Sequence, residues 1–400
     1  MKVLYIGYAI DKDLCNKQLG ASVAGNNMQI GVIEELYKLL DGNLDIITIF
    51  PTAPYPKVNN FWIRKRKINI SPNIKAQTIN FVNLPIIKQL WQIVTVFLSA
   101  RIYVKNNQGC KILTFNAFPA IGVPILLISK LYNCETISIL ADLPIDTIKR
   151  NPINRLFRLF MDKVTIISIK AFDKIIALNR NAIKEFAPNK PNIIIDGGFP
   201  LESINLNKFE RLYESTGEKI LLFAGTLVDY NGIKMLIEAM RYVSDKNVVL
   251  HIYGTGPLLN FVKQKADINS NIRYMGNITN SEMLLLQKQV YFLVNPRPVN
   301  DPISLVTFPS KILEYMLSGT PILSTKLNGF TEDYLKFINI INDTDSAAMG
   351  QSINNALKIS YDKLMKRAES GLEFVLENKS WETQCQKIYN FLKQTHQNNN

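Results

Sequence analysis

Four hundred residues, 47% hydrophobic and 20% charged, are more than one hydrophobic core usually supports, and that composition excludes both a disordered chain and a membrane-interior one. The formal net charge of +13 is unevenly placed: residues 1–200 carry 25 Lys and Arg against 13 Asp and Glu, whereas residues 201–400 carry 21 against 20. Four scattered cysteines, Cys15, Cys110, Cys134 and Cys385, show neither metal-site spacing nor a disulfide rhythm, which points to a reducing, cytoplasmic compartment.

The chain opens with MKVLYIGYAI, one lysine and a short apolar run without a small-residue cleavage site, which reads as a first buried strand rather than a signal peptide. Further strands are expected at LDIITIF, AQTINFV, KILTFNA, ETISILADLP, KIIALN and NIIIDGGF. Between them the apolar spacing predicts helices over 26–40, 86–105, 119–132 and 152–171. The longest apolar stretch, LPIIKQLWQIVTVFLSARIYV, is broken by Lys88 and Arg101 and falls short of a transmembrane span. Residues 51–100 contain no acid, and WIRKRKINI places Arg64, Lys65, Arg66 and Lys67 beside Phe61 and Trp62. Such a segment suits an anionic membrane surface, equally a solvated loop, and as a third reading nucleic acid, for which no recognition motif is visible.

After the polar linker LNKFERLYESTGEK the strand–helix rhythm restarts. Strands are expected at ILLFAGTL, VVLHIYGTG, IRYMGNI, YFLVNPRP, TPILST and FINIIND, with helices over 232–243, 257–266 and 281–289. Three more helical segments close the chain before a frayed HQNNN tail. Alternation of this kind predicts an α/β protein with two parallel, doubly wound sheets facing across a cleft, where strand carboxyl ends meet a ligand.

The stretch TFPSKILEYMLSGTP, residues 307–321, carries the clearest chemistry. Thr307 suits a helix cap and Pro309 a first turn, where free N–H groups and the helix dipole favour phosphate. Lys311 adds a cation. Glu314, three residues on, shares the lysine's face and can accept from the two hydroxyls of a ribose. A nucleotide diphosphate would satisfy all three features; an ordinary capped helix with a surface Lys–Glu pair is the plainer reading. YGTGPL lacks the third glycine and the following acid of a dinucleotide fingerprint, which argues against a dehydrogenase.

FPSKILEYMLSGTPIL closely resembles the signature of bacterial retaining glycosyltransferases of family 4, or group 1, which have the GT-B fold of two Rossmann-like domains. LLFAGTLVDYNGIKMLIEAM, LHIYGTGPLLNFV and IRYMGNITNSEMLLLQKQVYFLVNPRP fall in that family's order across residues 217–330, while the first half is similar only loosely, through its opening strand, QLGASVAGNNMQIGVIEEL and ILADLP. The resemblance implies an N-terminal acceptor-binding domain over 1–202, a nucleotide-sugar-binding domain over 203–378, and a C-terminal helix and tail, 379–400, able to pack back on the first domain.

By position, the resemblance puts Glu314 on the donor ribose, Lys311 with Ser310 near the phosphates, Gly225 and Thr226 beside the diphosphate, and Gly254 to Gly256 along the nucleotide wall. The chain departs from the family at Val306, where a first glutamate is common, and at Thr226 and Asn231, where an arginine and a lysine are common; Asn231 stays in the candidate donor set. Arg297 is the candidate to supply missing positive charge, because a guanidinium pairs well with phosphate oxygens; a structural salt bridge is its other reading. Asp142 joins Lys311 as a candidate catalytic residue near the transferred sugar, or else caps the next helix. Gly20, Ala21 and Ser22 form a small-residue loop facing the diphosphate or acceptor, with Asn26 and Asn27 beginning the first helix.

Histidine is confined to His251, read as a satisfied core residue, and His396. A histidine base and a histidine-built metal site are therefore not expected, nor is any cofactor. Retaining transfer suits that scarcity, because the donor's own phosphate oxygen can take the acceptor proton. The implied activity is transfer of a sugar from a nucleotide-diphosphate donor to a lipid-linked or oligosaccharide acceptor in capsule, exopolysaccharide or O-antigen synthesis, at the inner face of the membrane and without nucleic acid. The competing reading is a nucleotide-sugar-binding scaffold without transfer activity.

Overall fold

Among the described residues of the first half of the chain, ten strands form where apolar runs are short and bounded by polar residues: β1 (Val3–Gly7), β2 (Leu44–Thr48), β3 (Trp62–Ile63), β4 (Lys67–Ser71), β5 (Ile74–Thr78), β6 (Phe81–Val82), β7 (Lys111–Phe115), β8 (Thr136–Leu140), β9 (Lys174–Ala177) and β10 (Asn192–Ile194). The computed structural model describes residues 1–144, 152–201, 211–306, 308–309 and 311–394. Two compact units result, Met1–Pro200 with Trp381–Asn400, and Leu201–Ser380.

In the first unit eight strands make one sheet in the order β10-β9-β8-β7-β1-β2-β5-β4. All neighbours are parallel except β4, which runs antiparallel to β5 at the edge. Strand β1 is buried along its whole length, as a strand covered on both faces must be. Its residues divide by parity: Leu4 and Ile6 join a core with Val96, Ile121, Ile125 and Phe172, whereas Val3 and Tyr5 join one with Ile30, Ile33, Trp381 and Ile388. Helices therefore cover both faces, and the last helix, Trp381–Lys393, belongs to the layer that also holds helix Val23–Leu39.

Trp381 fixes that last helix. A Cβ built on Gly31 would lie 2.2 Å from its indole Nε1, and one built on Gly198 would lie 2.5 Å from its ring, so both neighbours lack side chains where the indole sits. At the other end, the Lys174 ammonium donates to the carbonyls of Phe391 and Gln394, and Lys111 donates to Leu392. Both lysines pair with Glu135, Lys111 at 2.5 Å and Lys174 at 2.9 Å, and cations suit the negative end of a helix.

The second unit contains β11 (Lys219–Ala224), β12 (Val248–Tyr253), β13 (Ile272–Gly276), β14 (Phe292–Asn295), β15 (Ile322–Ser324) and β16 (Ile338–Ile340). These form one parallel sheet in the order β13-β12-β11-β14-β15-β16. No helix among the described residues is long and apolar enough to cross a membrane.

Several expectations are corrected. The first long helix begins at Val23, not Asn26, because the Ser22 hydroxyl accepts from Gly25 N at 3.2 Å and caps it. Asn26 lies inside it and closes a reciprocal pair with the Ile10 backbone, both bonds 2.9 Å. The basic segment WIRKRKINI is not a loop throughout: Trp62–Ile63 pairs with β6 and Lys67–Ser71 is the sheet edge. LNKFERLYESTGEK is likewise not all linker, since Leu212–Thr216 is helical and β11 begins at Lys219. His251 is buried in β12, but its Nε2 has no hydrogen-bond partner among the described residues, and burial lowers its pKa toward the neutral form. Thr307, Ser310, His396 and the HQNNN tail lie outside the described residues.

Candidate functional site

Among the parallel strands the order changes direction between β1 and β7 in the first unit and between β11 and β14 in the second. Chain segments leaving such a switch point diverge to opposite faces, and the carboxyl ends of the strands are left open to a ligand.

In the second unit four segments meet at that place. The loop after β11 contains Gly225 and Thr226, and the loop after β12 contains Gly254 and Gly256. They are laced together by Gly225 N to Tyr253 O at 3.0 Å, Leu227 N to Thr255 O at 2.9 Å and Leu258 N to Leu227 O at 3.0 Å. Gly254 has φ 131°, and a Cβ there would lie 1.9 Å from the Gly225 carbonyl oxygen, so the two backbones touch where a side chain would have to be. Gly232, at φ 75°, stands against Pro296 of the β14 loop in the same way, with 1.8 Å between a built Cβ and the carbonyl oxygen. The fourth segment is helix Lys311–Leu317, whose entrance is anchored by Phe308 packed on Phe330 and Tyr334.

That helix turns three chemical groups toward the strand ends. The Lys311 ammonium donates to the Ala224 carbonyl, and burial brings its pKa down to about 8, opposed by Glu314 and reinforced by Arg297. Tyr315, one turn on, is fully buried against the same Ala224 backbone, and its phenol is pushed up by burial. Glu314 is half-buried, and its Oε1 accepts from Gln287 Nε2 at 2.5 Å. From the β14 loop the Arg297 guanidinium lies 5.8 Å from the Tyr230 ring centroid; burial lowers its pKa, opposed by Tyr230 and Asp301. Lys311, Glu314, Arg297, Gly225, Gly254 and Gly256 are thus all placed at one end of one sheet. Thr226 is exposed beside them. The Asn231 amide donates to the Thr226 carbonyl at 2.8 Å, so that side chain braces the loop itself.

Gly20 and Asp142 belong to the first unit, where they line a cavity of about 290 Å³ at the other switch point. Tyr8, Gln29, Thr52, Lys88, Gln92 and Asn116 share its wall. Gly20, at φ 95°, packs against the 52–53 backbone, with a built Cβ 2.5 Å from Ala53 N. Asp142 accepts from Asn116 Nδ2 at 3.1 Å, while Asn116 Oδ1 accepts from the Ala141 and Asp142 amides, both at 2.9 Å. The Asp142 carboxyl is solvent-accessible yet crowded by the concave wall, and desolvation raises its pKa against the lowering effect of Asn116. Lys88 donates to the Thr52 carbonyl at 2.5 Å, and burial lowers its pKa to about 8. Among the described residues no group of three or more His, Cys, Asp or Glu side chains is placed to hold a metal ion.

Residues 218–358 match the family model described as glycosyl transferases group 1. Over these residues the chain is similar to the group 1 glycosyltransferases. The group 1 segment contains every candidate of the second unit that the structure describes. Two curated relatives are similar over part of their length. An uncharacterized glycosyltransferase of Methanocaldococcus jannaschii is 28% identical over 202 residues, 44% of this chain and 50% of the relative. The D-rhamnosyltransferase WbpZ of Pseudomonas aeruginosa is 24% identical over 211 residues, 50% of this chain and 51% of the relative. The chain spans about half the length of the curated relatives it matches.

Among solved structures, Anabaena HepE in complex with UDP is similar at a TM-score of 0.67 and 15% identity, covering 98% of this chain and 99% of that one. The lipopolysaccharide outer core galactosyltransferase WaaB is similar at 0.66 and 14%, with coverage of 98% and 99%. At such identity the likeness is one of fold, and the fold is GT-B.

Gln287, Asn116 and Lys88 are candidates that reading the sequence missed. Gln287 sits in helix Asn280–Gln287 among leucines and acquires meaning only through Glu314. Asn116 offered a faint signal: an asparagine directly after a buried strand, where the left-handed φ of 65° suits that residue type.

Proposed function

We propose that this protein is a retaining glycosyltransferase that moves a sugar from a nucleotide-diphosphate donor to a lipid-linked or oligosaccharide glycan acceptor in cell-surface polysaccharide synthesis. The observation that carries the reading is the convergence of Lys311, Arg297 and Glu314 on a glycine-lined switch point inside the group 1 segment. HepE, with which the chain shares its fold, has been solved with UDP and with UDP-glucose, and WbpZ is named a D-rhamnosyltransferase, which supports the nucleotide-sugar donor.

In this reading the side-chain-free faces of Gly225, Gly254 and Gly256 admit the nucleotide to backbone contact, and Lys311 and Arg297 offset the charge of the departing diphosphate. Glu314, held from one side by Gln287, keeps acceptor capacity for the ribose hydroxyls. Ser310, outside the described residues, is assigned to the phosphates by position. The acceptor proton passes to the donor's own phosphate oxygen, so no cofactor, metal or histidine base is required. The first-unit cavity, with Asp142 and Lys88 in its wall, receives acceptor hydroxyls. The enzyme works in the cytoplasm and does not use nucleic acid.

Glu314→Ala should weaken UDP binding by about 1–3 kcal/mol, the usual cost of losing a charged hydrogen-bond acceptor, as read by titration calorimetry. An unchanged dissociation constant would remove Glu314 from the site. Transfer itself is tested with radiolabelled nucleotide sugars and membranes; donor binding without labelled lipid or glycan product would mark a scaffold instead.

The lowered pKa of Lys311 gives a second test. In the free protein this lysine is charged below about 8 and neutral above, and a bound diphosphate favours the charged form. UDP affinity should therefore decline as pH rises beyond 8, approaching tenfold per unit, and Lys311→Met should flatten that slope. A wild-type affinity independent of pH between 7.5 and 9.5 would contradict the assignment.

A further inference from the structure

Lys311 and Glu314 stand three residues apart on one face of helix Lys311–Leu317, a spacing at which opposite charges on a helix can pair. In this chain they are held apart. The Lys311 ammonium donates to the Ala224 carbonyl and lies over the bare face of Gly225, where a built Cβ would be 2.0 Å from Nζ. The Glu314 carboxylate is taken up by the Gln287 amide instead, and no salt bridge joins the two charges among the described residues.

Gln287 suits this contact better than it suits its own helix. It is the last residue of helix Asn280–Gln287 and is 1% exposed. A carboxylate can only accept, so the amide nitrogen must face Glu314, at 2.5 Å, and the amide oxygen is left buried without a hydrogen-bond partner among the described residues. An unsatisfied buried acceptor costs stability, so a methionine of similar length would serve the packing as well or better. The backbone of Gln287 is fixed separately. Its carbonyl accepts from Thr320 Oγ1 at 2.7 Å, and that hydroxyl accepts from the Arg211 guanidinium, also at 2.7 Å. Thr320 follows closely on the helix that carries Glu314, so Gln287 is fastened to one segment by its backbone and by its side chain.

The consequence lies with the second carboxylate oxygen. Oε1 of Glu314 is occupied by Gln287, whereas Oε2 has no partner among the described residues and the side chain is only half-buried. Without the amide, a flexible glutamate could turn onto Lys311, and the hydrogen-bond acceptor and the cation would neutralise each other.

We propose that Gln287 is a positioning residue of the donor site: it keeps Glu314 off Lys311, leaves one carboxylate oxygen aimed at the ribose hydroxyls, and thereby sets the preference for a ribonucleotide over a deoxyribonucleotide. The inference rests on the donor reading of Lys311 and Glu314. A pinned carboxylate accepts well from a hydroxyl that is present and gains nothing from one that is missing, whereas a mobile one turns to water in either case.

The test is titration calorimetry of the full chain with UDP and GDP, each beside its 2′-deoxy form. For a ribonucleotide that binds, the wild type should favour the 2′-hydroxyl by about tenfold or more, as a site built around a hydroxyl does. Q287M should keep the far-ultraviolet circular dichroism and melting temperature of the wild type. It should bind the ribonucleotide about tenfold more weakly, with the deoxy form less affected, so that the preference falls to about threefold or less.

Q287E asks the same question by charge, and decides if the methionine variant fails to fold. The ionisable groups facing Glu314 are Lys311 and Tyr315 of its own helix, while helix Asn280–Gln287 faces it with the uncharged amide. In Q287E two ionised carboxyls repel at pH 7.5, and the preference should be lost; at pH 5 the pair shares a proton, the new carboxyl donates as the amide did, and the preference should return. Titration of Lys311 cancels from the ratio, because both ligands carry the same diphosphate. A wild type that binds neither nucleotide, or binds ribo and deoxy forms equally, would withdraw Glu314 from the ribose and this inference with it. A wild-type preference that survives in Q287M, or in Q287E at pH 7.5, would overturn the role of Gln287 alone.

Discussion

Trp381→Ala should cost the first unit about 3–5 kcal/mol, the range for deleting a large buried aromatic side chain. The indole is only 6% exposed, its own backbone N–H donates to Phe199 O at 3.0 Å, and no side chain at Gly31 or Gly198 can fill the space it leaves. The vacancy would lie at the start of the last helix, so that helix should loosen first. Urea unfolding followed by circular dichroism should show the transition of the first unit moving to lower denaturant while that of the second stays in place. Limited proteolysis should release a C-terminal fragment early. A midpoint shift equivalent to less than about 1 kcal/mol would mean that the helix is held by its other contacts and the tryptophan is incidental.

Gly254→Ala should be nearly as damaging, and at the site that carries the functional reading. At φ 131° an alanine is strained, and its methyl would enter the Gly225 carbonyl oxygen, a backbone atom tied by its own neighbours. Strain and overpacking together suggest about 2–5 kcal/mol lost from the second unit. The glycine loops would have to separate, so UDP binding should fall below detection by calorimetry even at temperatures where the variant remains folded. A thermally intact variant with normal UDP affinity would show that the two loops do not form the nucleotide wall.

Much of this site was legible because its chemistry is local. Lys311 and Glu314 share a helix face through their spacing, and the glycines stand directly after strands, where close backbone approach is the usual reason for the residue. The helices over 119–132 and 152–171 match their expected limits, since Pro119 and Pro152 mark the starts of clear apolar periodicities. What was hidden depends on partners distant in sequence. Gln287 and Glu314 are 27 residues apart, and Asn116 and Asp142 are 26 apart. Edge strand β4 carries little strand signal in its sequence, because KINIS buries only one of its five residues fully and its charged, weakly alternating pattern looks like a loop. Charges on such a strand also discourage pairing with another chain. Helix Val23–Leu39 starts three residues before the asparagine pair that suggests its beginning in the sequence, because the Ser22 hydroxyl makes the cap.

The clasp formed by Lys111, Lys174 and Glu135 around the final helix bears on the order in which the molecule can be made. Residues 201–380 are continuous and hold everything their own sheet requires, whereas the sheet begun at Val3 waits for residues 381–393 to be translated. Until then the groove along Ile30 and Ile33 and the ammonium groups meant for carbonyls at the helix end lack their ligands. A ribosome-bound nascent chain would therefore complete its later portion before its earlier one, reversing the usual vectorial sequence.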